Sequence, residues 1–261
     1  MRRISLAAGV LPEFDPVTIA SCAAQSGFSD VGVMVRPDQW DVRWESQLLD
    51  LKAAGLGYLD VEVLWIPAGG ELDSGHDLIV DVGNRLGADF LLVVSDEARA
   101  DYLAPALQHI SQRCWDSGMR PCLEFLRITQ VQSLAQAREL LVACEAYDFG
   151  ILIDTLHLQR SGEFALPDGL DLQLHPYVQL CDGNQACASD QAALLEDALD
   201  LRSIPGQGEL PLKDFLQRLP EQLPLSLEVR SKALRDGFSD PLQRAQALFN
   251  QTQLYLGATD E

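Results

Sequence analysis

Positive charge is scarce in this chain: 19 lysines and arginines stand against 39 aspartates and glutamates over 261 residues, a formal charge of −20. A surface of that sign repels phosphate backbones, so nucleic acid is not an expected partner. Long hydrophobic runs are missing as well. No window approaches the roughly 20 apolar residues of a membrane helix. The run Ile4 to Ala8, behind Met1-Arg2-Arg3, is too short for the apolar core of a signal peptide. No CxxC pair occurs among Cys22, Cys114, Cys122, Cys144, Cys181 and Cys187, which are read as reduced thiols of a cytoplasmic protein. A Gly-rich dinucleotide fingerprint is also absent: Gly9-Val10-Leu11-Pro12 follows the first apolar run. What remains is 47% hydrophobic and 22% charged, the make-up of an ordinary globular protein that folds by burying a core.

Eight short apolar runs rich in Val, Ile, Leu and aromatic residues punctuate the chain: Ile4 to Ala8, Asp30 to Val35, Tyr58 to Trp65, Asp89 to Val94, Arg120 to Phe125, Phe149 to Asp154, Tyr177 to Asp182 and Leu225 to Arg230. Each is followed by a stretch whose apolar residues fall at helical spacing. Val17 to Ser26 opens after Asp15-Pro16, Ala104 to Ser117 ends before Gly118, and Leu134 to Tyr147 carries one apolar face. Strand starts recur roughly every 30 residues, the length of a βα unit, until a much longer last gap. Eight such units predict an α/β fold, a single-domain (β/α)8 barrel over residues 1–261 with an extended loop region at 183–210 and a short acidic C-terminal tail. That loop follows strand seven and would lie on the barrel's C-terminal face, where barrel enzymes keep their active sites.

Charge has no packing reason to sit in a barrel strand, so the exceptions are informative. Glu124, Asp154, Gln179 and Glu228 fall one each on strands five to eight. Three carboxylates converging in an apolar barrel repel one another, and a divalent cation is the simplest way to hold them there ionised. The donor set of three carboxylates and an amide oxygen favours Mg²⁺ or Mn²⁺ over a thiolate or imidazole zinc site. The competing reading gives each acid its own ion pair at the rim. Three residues past Asp154, His157 can stand beside the metal and act on substrate, and Arg160 is a candidate for holding a substrate carboxylate, phosphate or hydroxyl. Glu62 and Arg230, the latter two residues beyond Glu228, are further candidates for substrate contact or for buried ion pairs. His76, His109 and His175 receive no role.

At Cys122-Leu123-Glu124-Phe125, Asp154-Thr155-Leu156-His157, Arg160-Ser161-Gly162, Val178-Gln179-Leu180-Cys181-Asp182, Pro205-Gly206-Gln207-Gly208-Glu209 and Leu227-Glu228-Val229, the chain resembles the xylose-isomerase-like superfamily of barrels, the sugar phosphate isomerases and epimerases with their related dehydratases. The resemblance covers essentially the whole chain in order. It implies a metal held by Glu124, Asp154, the position of Gln179, and Glu228. Gln179 is the departure, because many epimerases of the superfamily carry His there, whereas Gln is familiar from dehydratase-type members acting on keto-cyclitols or dehydroshikimate. Both chemistries begin by removing a proton beside a polarised carbonyl. Glu124 and Glu228 are the expected base and acid, with His157 as a further proton donor. The expectation is therefore a divalent-metal-dependent isomerase or epimerase of a small sugar or polyhydroxy ketone. A metal-dependent dehydratase and a non-catalytic sugar- or partner-binding barrel are the alternatives. A DNA-repair endonuclease of the superfamily is disfavoured by four histidines and the acidic balance. The expected partner is a small sugar or cyclitol; self-association into a homo-oligomer stays open.

Overall fold

A computed structural model describes residues 2–164, 170–186 and 190–259. Eight parallel strands close into a barrel in chain order: β1 Ile4–Leu6, β2 Asp30–Met34, β3 Gly57–Ile66, β4 Phe90–Ser95, β5 Arg120–Glu124, β6 Gly150–Asp154, β7 Val178–Leu180 and β8 Leu225–Leu227. The helices are α1 Pro16–Ser26, α2 Arg43–Ala53, α3 Ser74–Leu86, α4 Ala100–Trp115, α5 Leu134–Ala143, α6 Thr155–Arg160, α7 Gln191–Asp200, α8 Leu212–Gln217, α9 Lys232–Gly237 and α10 Pro241–Thr259. The single-domain (β/α)8 barrel predicted from the spacing is the fold observed. Among the described residues no helix is long and apolar enough to cross a membrane.

Strands buried on both faces read as continuous apolar runs, which is why they were visible in the sequence. The lumen is a cluster of its own: Leu59, Leu92, Val94, Cys122, Leu152 and Tyr177 pack together without any helix residue, apart from the larger core between barrel and helices. Side chains two apart on a strand share a face. Cys122 therefore sets Glu124 inward, Leu152 sets Asp154 inward, and Tyr177 does the same for Gln179, so the polar set caps this lumen at the C-terminal mouth.

Two strands end sooner than the apolar runs suggest. Beyond Leu180 the chain leaves the ladder, and Asp182 pairs instead with Ser203 in an antiparallel bridge, N to O at 2.9 and 2.8 Å. Beyond Leu227, the Arg230 carbonyl accepts from Arg202 N at 3.1 Å. The segment 183–210, read from sequence as an extended loop, carries α7 in its middle. Asp190 caps that helix by accepting from Ala193 N, and Leu194 and Ala198 give it a buried side. The acidic tail, Asp260 and Glu261, lies outside the described residues, as does Cys187. The other five cysteines are free thiols.

Candidate active site

Glu124 ends β5 and Asp154 ends β6; Gln179, the ladder partner of Asp154, lies inside β7, and Glu228 follows β8. The structure thus brings together all four residues that the strand pattern singled out, each almost fully buried. With its amide nitrogen turned inward, Gln179 donates to Glu124 Oε1 (3.2 Å) and to Glu228 Oε2 (2.9 Å), spanning the two glutamates. With the oxygen inward it would face only acceptors unless a cation stood between them.

Asp154 plays two parts. Its Oδ1 accepts from Leu156 N (2.7 Å) and His157 N (3.1 Å), capping α6 and fixing where His157 begins its turn. Its Oδ2 receives Arg202 Nη1 at 2.5 Å. Burial alone would raise the pKa of this group, but Arg202 and the capping N–H groups bring it below the ordinary carboxylate value, so Asp154 stays ionised. Glu124 goes the other way: burial, then repulsion from Glu228 and Asp154, lifts it well above the normal range. Burial likewise takes Glu228 to about 7 against the pull of Arg202 and Arg230.

His157 lies 3.9 Å from Glu124 through Nε2. The same nitrogen is 3.3 Å from Arg202 Nη2. A guanidinium can only donate, so Nε2 accepts and the ring proton rests on Nδ1. Burial and the nearby arginines press the imidazole down to about 4, so it is neutral at ordinary pH. Donor atoms of Glu124, Asp154 and His157 lie within 4.8 Å of one another. That is the span of donors around one ion, given metal–ligand distances of about 2.0–2.6 Å. His157, placed by the sequence beside the metal, is thus close enough to belong to the donor set itself. Three buried acids, only partly balanced by Arg202 and by Arg230 at Glu228, suit a divalent cation.

Of the remaining candidates, Glu62 is buried on β3, and its Oε1 accepts from Ala8 N at 3.1 Å. Burial and neighbouring Asp60 raise it to about 7. Arg230 stands at the mouth with Nε 3.3 Å from Glu228 Oε1. Gly9 lets it lie there, since a Cβ at that position would collide with the guanidinium. Arg160 points elsewhere: it makes a two-pronged buried pair with Asp197 of α7, Nε to Oδ2 at 2.5 Å and Nη2 to Oδ1 at 3.0 Å.

Sequence reasoning missed Arg202, the buried cation of the site, along with Asp197. Arg202 comes from the long gap between β7 and β8, and its one visible signal is an arginine between Leu201 and Ile204 just ahead of Pro205-Gly206. Asp60, which accepts from Tyr177 Oη at 3.2 Å in the lumen, is a further buried acid that the sequence reading did not single out.

A closed eight-stranded barrel that gathers carboxylates, an imidazole and a guanidinium at the C-terminal ends of its strands is the architecture of a (β/α)8 enzyme. The family model described as xylose isomerase-like TIM barrel matches residues 75–249, and the chain belongs to that family. A comparison with curated proteins finds no match. Among solved structures, 99% of the chain aligns with a xylose isomerase-like TIM barrel/4-hydroxyphenylpyruvate dioxygenase fusion protein at 21% identity and TM-score 0.70, spanning 44% of that longer protein. The IOLI protein with a bound zinc atom is similar at 14% identity and TM-score 0.72, covering 98% of this chain and 97% of that one. The probable 3-DHS dehydratase AsbF of Bacillus anthracis is similar at 15% identity and TM-score 0.67, with 96% and 98% covered. A D-allulose 3-epimerase from Methylomonas sp., in complex with D-allulose, is similar at 14% identity and TM-score 0.65, with 97% of each chain covered. At such identities the likeness establishes the fold.

Proposed function

We propose that the protein is a divalent-metal-dependent isomerase or epimerase of a small sugar or polyhydroxy ketone. The observation that carries this reading is the pair Glu124 and Glu228: two glutamates on non-neighbouring strands, both pushed toward the protonated form, facing each other across the Gln179 amide. Glu124, Asp154 and Glu228 would hold the ion, Mn²⁺ or Mg²⁺ by the oxygen-rich donor set, with the Gln179 oxygen joining if its amide turns. When bound, the ion would polarise a substrate carbonyl.

The protein's own groups divide the remaining work. Asp154, held ionised by Arg202 and the start of α6, is suited to binding and not to proton transfer. Glu124 and Glu228, both pushed toward the protonated form, can each take or give a proton, so one would remove the proton beside the carbonyl and the other return one from the opposite side. With Nε2 occupied by Arg202, His157 would donate to substrate through Nδ1. Arg230 and Glu62 would hold substrate hydroxyls. Arg230 also borders a groove of about 650 Å³ that reaches Arg36 and Asp200, open to the rest of a small ligand. Arg160 would touch substrate only by leaving Asp197.

A dehydratase of a keto-cyclitol or dehydroshikimate is the second reading, favoured by Gln179 and by the likeness to AsbF. Here one glutamate takes the proton and the other, held protonated, gives one to the departing hydroxyl, since His157, expected from the sequence as the donor, is neutral. A panel of ketoses, keto-inositols and dehydroshikimate, incubated with metal-loaded protein in D₂O, tests both. Epimer formation with deuterium beside the carbonyl supports the first, and an absorbance change from dehydration supports the second. No exchange into any member of the panel would overturn the proton-transfer reading.

A further inference from the structure

Arg202 is built into the site and is not a surface residue folded over it. Its backbone is stitched on two sides: Arg202 N donates to Arg230 O at 3.1 Å, and Ser203 exchanges two hydrogen bonds with Asp182 at the end of β7. The side chain is then threaded inward, with Nε donating to Ala198 O of α7 at 2.9 Å. Only 2% of it is exposed. The head has one place left. Nη1 reaches Asp154 Oδ2 at 2.5 Å and Glu228 Oε2 at 3.3 Å, and Nη2 reaches His157 Nε2 at 3.3 Å. A guanidinium taken this far out of water is held only where acids repay its desolvation, and here two of the three acids do so. Glu124 is the one it does not touch.

The charges then add simply. Glu62, Glu124, Asp154 and Glu228 carry four negative charges when ionised; Arg202, fixed among them, and Arg230, at the mouth beside Glu228, carry two positive ones. Two negative charges remain, which is what a divalent ion supplies. A trivalent demand or a monovalent ion would leave the buried site unbalanced, at high cost in a low-dielectric interior. The fixed cation also repels the ion with which it shares Asp154 and Glu228.

We propose that Arg202 is the resident second cation of this site, sharing Asp154 and Glu228 with the divalent ion, so that the filled site is electrically balanced and the ion is held more loosely than three acids alone would hold it. This rests on the metal-dependent reading above. The function it serves is exchangeable binding of a specific charge class of ion, with a positive group left beside the reacting carbons after the ion's own charge is spent on its acids.

The test is Mn²⁺ titration into chelator-stripped wild type, Arg202→Gln and Arg202→Lys, read by calorimetry. Removing the charge should tighten Mn²⁺ binding about tenfold or more, the opposite of what loss of a purely structural residue would do. Arg202→Lys keeps the charge without the fork and should stay within about threefold of wild type. Unchanged or weaker binding in folded Arg202→Gln overturns the proposal while leaving the metal reading intact. Should Arg202→Gln fail to fold, Arg202→Lys still decides: a tenfold loss or gain there overturns the charge role. Wild type that takes up no Mn²⁺ overturns the metal reading itself, and this proposal with it.

Discussion

Glu124 and Glu228 differ from Asp154 in what surrounds them, and the difference assigns their work. All three acids are buried, but Asp154 is bonded by a guanidinium and two backbone N–H groups, whereas Glu124 meets an amide, a neutral imidazole and other acids. Glutamine at position 124 keeps the shape and removes both the proton carrier and the repulsion. Glu124→Gln should therefore lower turnover by about 10²–10⁴-fold while leaving the thermal midpoint of chelator-treated protein unchanged or raised. A midpoint several degrees lower would mean that Glu124 is a structural acid. Residue types told this much in advance: a charged residue on a strand of an apolar barrel has to be explained, and three of them, with the polar Gln179, marked the mouth. Arg202 could not be read the same way, because an arginine in a loop is ordinary until the backbone pairing of Ser203 with Asp182 turns it inward.

Elements were legible where burial on both faces left an unbroken apolar run and blurred where the chain leaves the ladder. β7 and β8 stop at Leu180 and Leu227 because the segment carrying Arg202 is laid against their ends, a pairing between parts of the chain far apart in sequence that no local pattern announces. α7 was hidden for a similar reason, since it lies between Gly-rich stretches that read as loop. A tie between elements supplies the pH test. His175, ahead of β7, donates through Nδ1 to Ile151 O of β6 (3.0 Å) and accepts at Nε2 from Arg138 of α5 (3.0 Å). Burial, with Arg138 nearby, lowers it from 6.5 to about 4. The unfolded chain therefore binds a proton that the folded one refuses. This group's contribution is complete above pH 6.5 and is lost as pH falls toward 4, a difference of about 3 kcal/mol over the window. His175→Asn should flatten the stability profile between pH 4 and 6.5 by up to one proton, measured by urea unfolding at several pH values. An unchanged slope would place the titration elsewhere.

For the whole molecule, a formal charge of −20 sits on a barrel whose mouth already concentrates acids. Self-repulsion of that size is relieved by salt, so the thermal midpoint should rise as NaCl increases from about 0.01 to 0.3 M, where the screening length shortens from about 30 to under 10 Å. A falling midpoint would mean that surface ion pairs such as Arg113 with Asp81 outweigh the net charge.

The central claim, that the acids at the mouth are a site for one divalent ion, is tested most directly by metal binding itself. Calorimetric titration of chelator-stripped protein with Mn²⁺, Mg²⁺ and Zn²⁺, each in two buffers of different ionisation enthalpy, reads stoichiometry, preference and protons released together. Glu124 and Glu228 retain protons that an ion must displace, so the account predicts one ion per chain, proton release on binding and tighter binding as pH rises from 6 to 8. Absence of binding by all three ions, or binding that Glu124→Gln and Asp154→Asn leave untouched, would contradict it.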